Sequence, residues 1–103
     1  MIDEATIAEV GRRIRRAAPA ARVYLFGSHA RGTARPNSDL DILVVEPTVE
    51  NAAEEAIRLR RTLRGLRLTA DIVVVSRRDA EEWRYVRGSL IHAALSESRL
   101  LAA

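Results

Sequence analysis

Residues 39–46 read Asp-Leu-Asp-Ile-Leu-Val-Val-Glu, an almost unbroken run of aliphatic side chains that opens with two acids and ends before Pro47. Such a run is typical of a central strand buried in a sheet. Side chains alternate across a strand, so the carboxylates of Asp39 and Asp41 emerge on the same face. Carboxylates held so closely repel each other unless a hard cation such as Mg²⁺ or Mn²⁺ lies between them. The alternative is a polar strand start that caps a turn.

A second hydrophobic strand begins with an acid in the same way. Asp71 precedes four aliphatic residues, just as Asp41 does. If both acids serve one site, their strands begin at the same sheet edge and therefore run parallel. Parallel strands need a long crossover, which the apolar spacing over residues 49–64 predicts as a helix. A lone aspartate in this position is otherwise a solvated strand terminus.

A glycine–serine pair follows the first predicted strand, residues 22–26. Gly27 lets the backbone turn sharply, and Ser28 opens a helical turn whose unpaired N–H groups are suited to phosphate oxygens. Ser28 is also expected to cap this turn. Arg31 can either reach the same anion or pair with a surface acid. For this loop to reach the acids, the first strand must run antiparallel to the second.

The remaining pattern completes an α/β (α+β) sandwich, with helices expected over residues 3–18 and after Ser76. The expected order is α-β-(short α)-β-α-β-α-α. The sheet is three-stranded and mixed, with the first strand antiparallel to the second and the second parallel to the third. Trp83 and Val86 are placed on one helix, and Trp83 is expected in the core rather than stacked on a base. One domain over residues 1–103 is expected.

Composition excludes several classes of function. The chain has 103 residues, no cysteine and no lysine, which excludes disulfides, thiol nucleophiles, cysteine zinc clusters and lysine Schiff bases. A net charge of +3 is too small to indicate a nucleic-acid partner. No apolar run reaches the ~18–20 residues of a membrane span. The acidic start differs from a secretory signal, so a cytoplasmic location is expected.

The spacing of these motifs resembles a known family signature. Gly27-Ser28, ten intervening residues, Asp39-x-Asp41 and a later Asp71 before a hydrophobic strand are similar to DNA polymerase β-type nucleotidyltransferases. The small size and the Arg31-Gly32 pair resemble the minimal nucleotidyltransferase (MNT) branch, as does the tail over residues 87–95. The resemblance covers nearly the whole chain.

That resemblance implies a metal-dependent transfer of a nucleoside monophosphate, with release of pyrophosphate. ATP or another nucleoside triphosphate would be the substrate, and Mg²⁺ or Mn²⁺ the cofactor. The residues implied as catalytic and metal-binding are Asp39, Asp41 and Asp71. The residues implied as nucleotide-binding are Gly27, Ser28 and Arg31.

The resemblance also implies a partner. Many minimal members are antitoxins paired with a helical HEPN-domain toxin, and some add AMP to a tyrosine of that partner. The leading expectation is therefore AMP transfer to a hydroxyl of a HEPN-domain protein. The alternative is a catalytically weak or silent module that neutralises its partner by binding. A homo-oligomer is left open.

Overall fold

The computed structural model describes residues 2–103 and contains one sheet. Its strands are β1 (Arg22–Phe26), β2 (Leu40–Glu46), β3 (Ala70–Ser76) and β4 (Arg99–Ala102). Their spatial order is β3-β2-β1-β4, with β1 antiparallel to β2 and β2 parallel to β3. The fold class and the directions expected for the first three strands are therefore confirmed.

The expectation of three strands is wrong, because β4 adds a fourth strand at the free edge of β1. β4 pairs antiparallel to β1, with Tyr24 opposite Leu100 and Leu25 opposite Arg99. Its Arg-Leu-Leu-Ala sequence favours helix as much as strand, and its first two residues are exposed. The strand therefore depends on pairing with a distant part of the chain, which no local pattern reports.

Within residues 2–103, five helices connect and cover the strands. They are α1 (Glu4–Ala17), α2 (Gly27–Arg31), α3 (Ala52–Arg61), α4 (Arg77–Trp83) and α5 (Leu90–Ser96). Four of them begin at a side chain that accepts a hydrogen bond from the first turn, which satisfies an otherwise unpaired backbone N–H. These caps are Asp3, Asn51, Ser76 and Ser89. No helix within residues 2–103 is both long and apolar enough to cross a membrane.

Strand β2 lies at the centre of two hydrophobic layers. Its alternate residues Leu40, Ile42 and Val44 belong to the layer under α1 and α3. Leu43 and Val45 belong to the opposite layer, with small residues of α4 and α5. Each fully buried side chain of this size stabilises the fold by about 1.5–3 kcal/mol. The double burial holds the start of β2, where the acids lie, in a fixed position.

The expected burial of Trp83 is wrong. Trp83 is the last residue of α4 and is 47% exposed, and Val86 lies beyond the helix and is 42% exposed. The two-turn helix packs on the sheet through the small side chain of Ala80. The segment after α4 is therefore left largely uncovered.

Candidate active site

The three predicted acids lie at one edge of the sheet. Asp41 and Asp71 are direct register partners in the parallel β2–β3 pair, so their side chains share a face. Asp39 immediately precedes β2, and its Oδ1 accepts a hydrogen bond from the Thr69 hydroxyl. Asp39 and Asp71 are exposed, whereas Asp41 is partly buried. The arrangement leaves carboxylate oxygens at the open end of two strands.

The positive charge near the acidic edge of the sheet is too small to balance its carboxylates. Burial raises the pKa of Asp41 above its ordinary value, and the nearby carboxylates of Asp71 and Asp39 raise it further. His29 and Arg31 lower that pKa but do not reverse the shift. A cation beside Asp41 would favour its charged form and relieve the repulsion.

Gly27 sits directly against this carboxylate. Its φ of +73° lies in the region that favours glycine, and it follows Phe26, the register partner of Asp41. A Cβ at Gly27 would lie 3.0 Å from Cγ of Asp41 and would collide with Oδ2. A residue without a side chain is therefore required for the loop after β1 to approach the acids.

Helix α2 differs in part from expectation. Its N-cap is Phe26, without a side-chain hydrogen bond, so the expected capping role of Ser28 is wrong. Gly32 ends the helix with a left-handed backbone. Arg31 Nη1 lies 2.7 Å from Oε1 of Glu97, which is the surface pairing left open above. Phosphate contacts by Gly27, Ser28 and Arg31 stay a prediction.

Two further residues shape the site and were not among the predicted site residues. Thr69 holds the Asp39 carboxylate, and His29 Nε2 lies 3.2 Å from the Ser38 carbonyl oxygen. The sequence contains a signal for each of these two residues. Thr69 precedes Asp71 by two positions in an extended segment, which places both on one face, and His29 directly follows the glycine–serine pair.

The donor set suits a hard cation shared with a substrate. Within residues 2–103, no three His, Cys, Asp or Glu side chains are arranged to hold a metal ion by themselves. The facing pair of Asp41 and Asp71 nevertheless offers oxygen ligands and carries unrelieved repulsion. Mg²⁺ takes such ligands together with substrate phosphates and water. Metal binding by the three acids stays a prediction.

The chain matches a known protein family over most of its length. A family model described as a nucleotidyltransferase domain matches residues 7–100. None of the curated proteins searched matches the chain.

The solved structures that share the fold include the following three. A chain of a toxin–antitoxin structure with AMP-PNP is 24% identical, with TM-score 0.61, and the match covers 99% of this chain and 74% of that one. A putative nucleotidyltransferase from Sulfolobus solfataricus is 24% identical, with TM-score 0.60 and coverage of 93% and 76%. A chain of the tri-AMPylated Shewanella oneidensis HEPN toxin in complex with MNT antitoxin is 18% identical, with TM-score 0.56 and coverage of 99% and 73%.

Proposed function

Because this chain belongs to the nucleotidyltransferase domain family, we propose that it transfers AMP from ATP to a hydroxyl of a partner protein. The observation that carries the proposal is the position of Asp41 opposite Asp71, with Gly27 packed against the Asp41 carboxylate. In this arrangement the backbone at Gly27 can approach a ligand closely, beside acids that no ion pair within residues 2–103 engages. A metal-bound triphosphate requires both features.

The proposed reaction is an in-line displacement at the α-phosphorus of ATP. The acceptor oxygen forms a bond to that phosphorus while the bond to the oxygen bridging toward the β-phosphate breaks, and pyrophosphate leaves. The hydroxyl proton passes to the Asp71 carboxylate and then to solvent. Asp39, Asp41 and Asp71 would hold Mg²⁺, and the bound ion would supply positive charge to neutralise the transferring group. Gly27, Ser28 and Arg31 hold the β- and γ-phosphates.

The proposed partner is a HEPN-domain protein, and the pair would act as toxin and antitoxin in the cytoplasm. The support is likeness of fold to a chain of a solved complex between a HEPN toxin and an MNT antitoxin. By that likeness, the acceptor hydroxyl is expected on the partner chain.

Intact-mass analysis of the copurified pair tests this function. The chain is coexpressed with a HEPN-domain protein encoded beside it, and the complex is incubated with ATP and Mg²⁺. The partner is expected to gain the mass of one or more AMP units. The matched control is the double variant Asp39→Asn/Asp41→Asn. No gain with the unaltered chain, or an equal gain with the control, would refute the proposal.

The second candidate function is neutralisation by binding alone. The Arg31–Glu97 pair favours it, because this arginine is already neutralised instead of being free for phosphate. The Asp39→Asn/Asp41→Asn variant separates the two functions in a growth assay with the toxin. Retained neutralisation indicates occlusion, whereas lost neutralisation with an intact complex indicates catalysis.

A further inference from the structure

A cavity of about 120 Å³ lies between α4 and the start of β1, at the end of the sheet away from the site acids. The charged residues that line it are Arg22, Arg77, Glu81 and Arg84. Arg22 is the register partner of Val45, which lies four positions along β2 from Asp41. At about 3.3 Å per residue, the cavity is about 13 Å from the acidic edge. It is therefore separate from the candidate active site.

The side of α4 that faces the sheet is largely charged, although an apolar stripe is usual there. Ala80 on this side is buried and packs in the layer of Leu43 and Val45. The residues that share its side of the helix and also line the cavity are Arg77, Glu81 and Arg84. Trp83, the largest apolar residue of α4, lies beside this stripe and is exposed. The charged side chains therefore leave a polar cavity where a hydrophobic contact would otherwise form.

The backbone is fixed at all three arginines of the cavity. Strand alternation places Arg22 on the same face as Tyr24, which packs against the layer of α4 and α5. Arg77 begins α4, and Arg84 ends it with helical backbone angles. The carbonyl oxygen of Arg84 lies 2.7 Å from Nδ1 of His92. An anion that bridges these arginines therefore has to order side chains only, which lowers the entropic cost of binding it.

The charge of the cavity lining defines the class of ligand. Three arginines and one glutamate give it a net charge of +2. Glu81 pairs with Arg84 at 3.5 Å, and within residues 2–103 no ion pair engages Arg22 or Arg77. A phosphate monoester carries about −1.5 to −2 and balances this charge, whereas a carboxylate balances about half of it. Guanidinium groups also match the geometry of phosphate oxygens.

The size of the cavity limits the ligand further. Its volume of about 120 Å³ is well below the roughly 300–1,000 Å³ of sites for drug-sized molecules. A single phosphate group is therefore accommodated, but a whole nucleotide is not. The three arginines are exposed, so the cavity opens to solvent and a phosphate on another protein can enter it.

We propose that Arg22, Arg77 and Arg84 bind one phosphate group, either as the free ion or on a phosphorylated side chain of another protein. The bound group links the start of β1 to both ends of α4. Binding requires neither a metal ion nor turnover, so it is independent of the proposed transferase function.

Isothermal titration calorimetry with inorganic phosphate tests the site, using the whole chain at pH 8 without ATP or Mg²⁺. Sodium chloride holds the ionic strength constant, because salt screens such contacts. Phosphate is expected to bind at least about tenfold more tightly than acetate. Arg22→Gln/Arg77→Gln is expected to weaken phosphate binding at least about tenfold, whereas Arg22→Lys/Arg77→Lys keeps the charge and weakens it less. Equal affinity for phosphate and acetate would overturn the proposal.

The matched control is Arg61→Gln/Arg67→Gln, which removes the same charge at exposed positions outside the cavity. An equal loss of phosphate binding in this control would overturn the proposal, because general attraction to a basic chain would explain the binding. Loss in Arg31→Gln with full binding by Arg22→Gln/Arg77→Gln would assign the phosphate to the glycine–serine turn, and would also overturn it.

A short serine peptide and its phosphorylated form distinguish the two sources of phosphate. Tighter binding of the phosphorylated peptide, lost in Arg22→Gln/Arg77→Gln, indicates a phosphorylated side chain as the ligand. Binding of inorganic phosphate but of neither peptide indicates the free ion. If neither inorganic phosphate nor the phosphorylated peptide binds the unaltered chain, the proposal is wrong.

Discussion

The two ends of strand β2 both carry acids, but they differ in how the negative charge is balanced. At its C-terminal end, Glu46 lies near Glu55, whose Oε1 accepts a 2.6 Å hydrogen bond from Nε of Arg58. Burial raises the pKa of Glu46 to about 7, and the facing Glu55 adds to the shift. The bond from Arg58 is the main cause that lowers the pKa of Glu55 to about 2.

At the N-terminal end of β2, no comparable arginine within residues 2–103 is bound to the acids. Arg31 influences Asp41, but its guanidinium pairs with Glu97. Acid pairs at the two ends of one strand can therefore serve opposite purposes. Where the chain supplies the cation, as at Arg58, the cluster is structural. Where it does not, the acids are suited to a cation that arrives with a ligand.

The largest effect is expected from removing the charge at the open end. Asp41→Asn should lower AMP transfer by at least about 10³-fold, because metal and phosphoryl charge would lose a principal ligand. Its unfolding free energy should stay unchanged or rise, since a repelling carboxylate is removed. Labelled-ATP transfer and thermal melts measure the two quantities. Glu46→Gln is the control at the other end, and equal activity loss there would contradict the comparison.

A large structural effect is expected at Gly27. Gly27→Ala should destabilise the fold by about 2–3 kcal/mol, because the methyl group meets the Asp41 carboxylate and the backbone is left-handed. Denaturant unfolding measures the loss. Gly32→Ala is matched, since its φ is +78° but no atom lies within 4 Å of a Cβ there. It should cost about 1 kcal/mol, and an equal cost at both positions would contradict tight packing at Gly27.

An intermediate effect on stability is expected at the C-terminal end of β2, where Glu46 lies, as pH changes. A carboxyl group whose pKa is raised in the folded state stabilises it at low pH and loses that contribution as pH rises from about 4.5 through about 7. Glu46→Gln should therefore be more stable than the unaltered chain at pH 8 and nearly equal at pH 5. The expected gain in unfolding free energy at pH 8 is about 1 kcal/mol, or roughly 5 °C in Tm. It is no larger because the side chain of Glu46 is partly exposed, which weakens the effect of burying its charge.

Thermal melts between pH 5 and 8 measure this difference. Glu50 is exposed and lines the same surface cavity as Glu46. Glu50→Gln is therefore the control and should follow the unaltered chain. A stability gain for Glu46→Gln that did not grow with pH would show that burial of its charge is not the cause.

The smallest effect is expected from the exposed pair between Arg31 and Glu97. Glu97→Gln should change the unfolding free energy by no more than about 0.5 kcal/mol, because both side chains are solvent-accessible. If Arg31 is then released toward phosphate, the KM for ATP should fall a few-fold. Thermal melts and initial rates check the two outcomes. A large loss of stability would mean that this pair is a structural cluster like the one at Arg58.

Much of the site's framework is encoded locally. The aliphatic runs after Asp41 and Asp71 predict two parallel strands because burial on both faces leaves little sequence alternation. Gly27 is predictable because a sharp turn after a strand needs a residue without a side chain. These features depend on neighbours in the chain, and each matches the structure.

The other features of the fold and the site depend on contacts between residues that are far apart in the chain. Strand β4 exists because β1 offers a free edge for pairing. Leu101 of β4 also packs against α1, where its Cβ lies 3.0 Å from the position that a Cβ on Gly11 would take. The Arg31–Glu97 pair joins residues 66 positions apart, and the hydroxyl of Thr69 reaches Asp39, just before another strand. Trp83 is exposed because α4 is short. None of these follows from periodicity, which reports only which face of an element is apolar.

The parallel pairing of β2 with β3 also governs the order in which the site assembles. Thr69 and Asp39 are 30 positions apart, so closing this loop costs more entropy than forming the nearer β1–β2 pair. A nascent chain that ends before residue 70 carries the glycine–serine bend and two of its acids but not the third. The three acids are therefore brought together late, when the β2–β3 pairing, which is the more sequence-distant of the two, has formed.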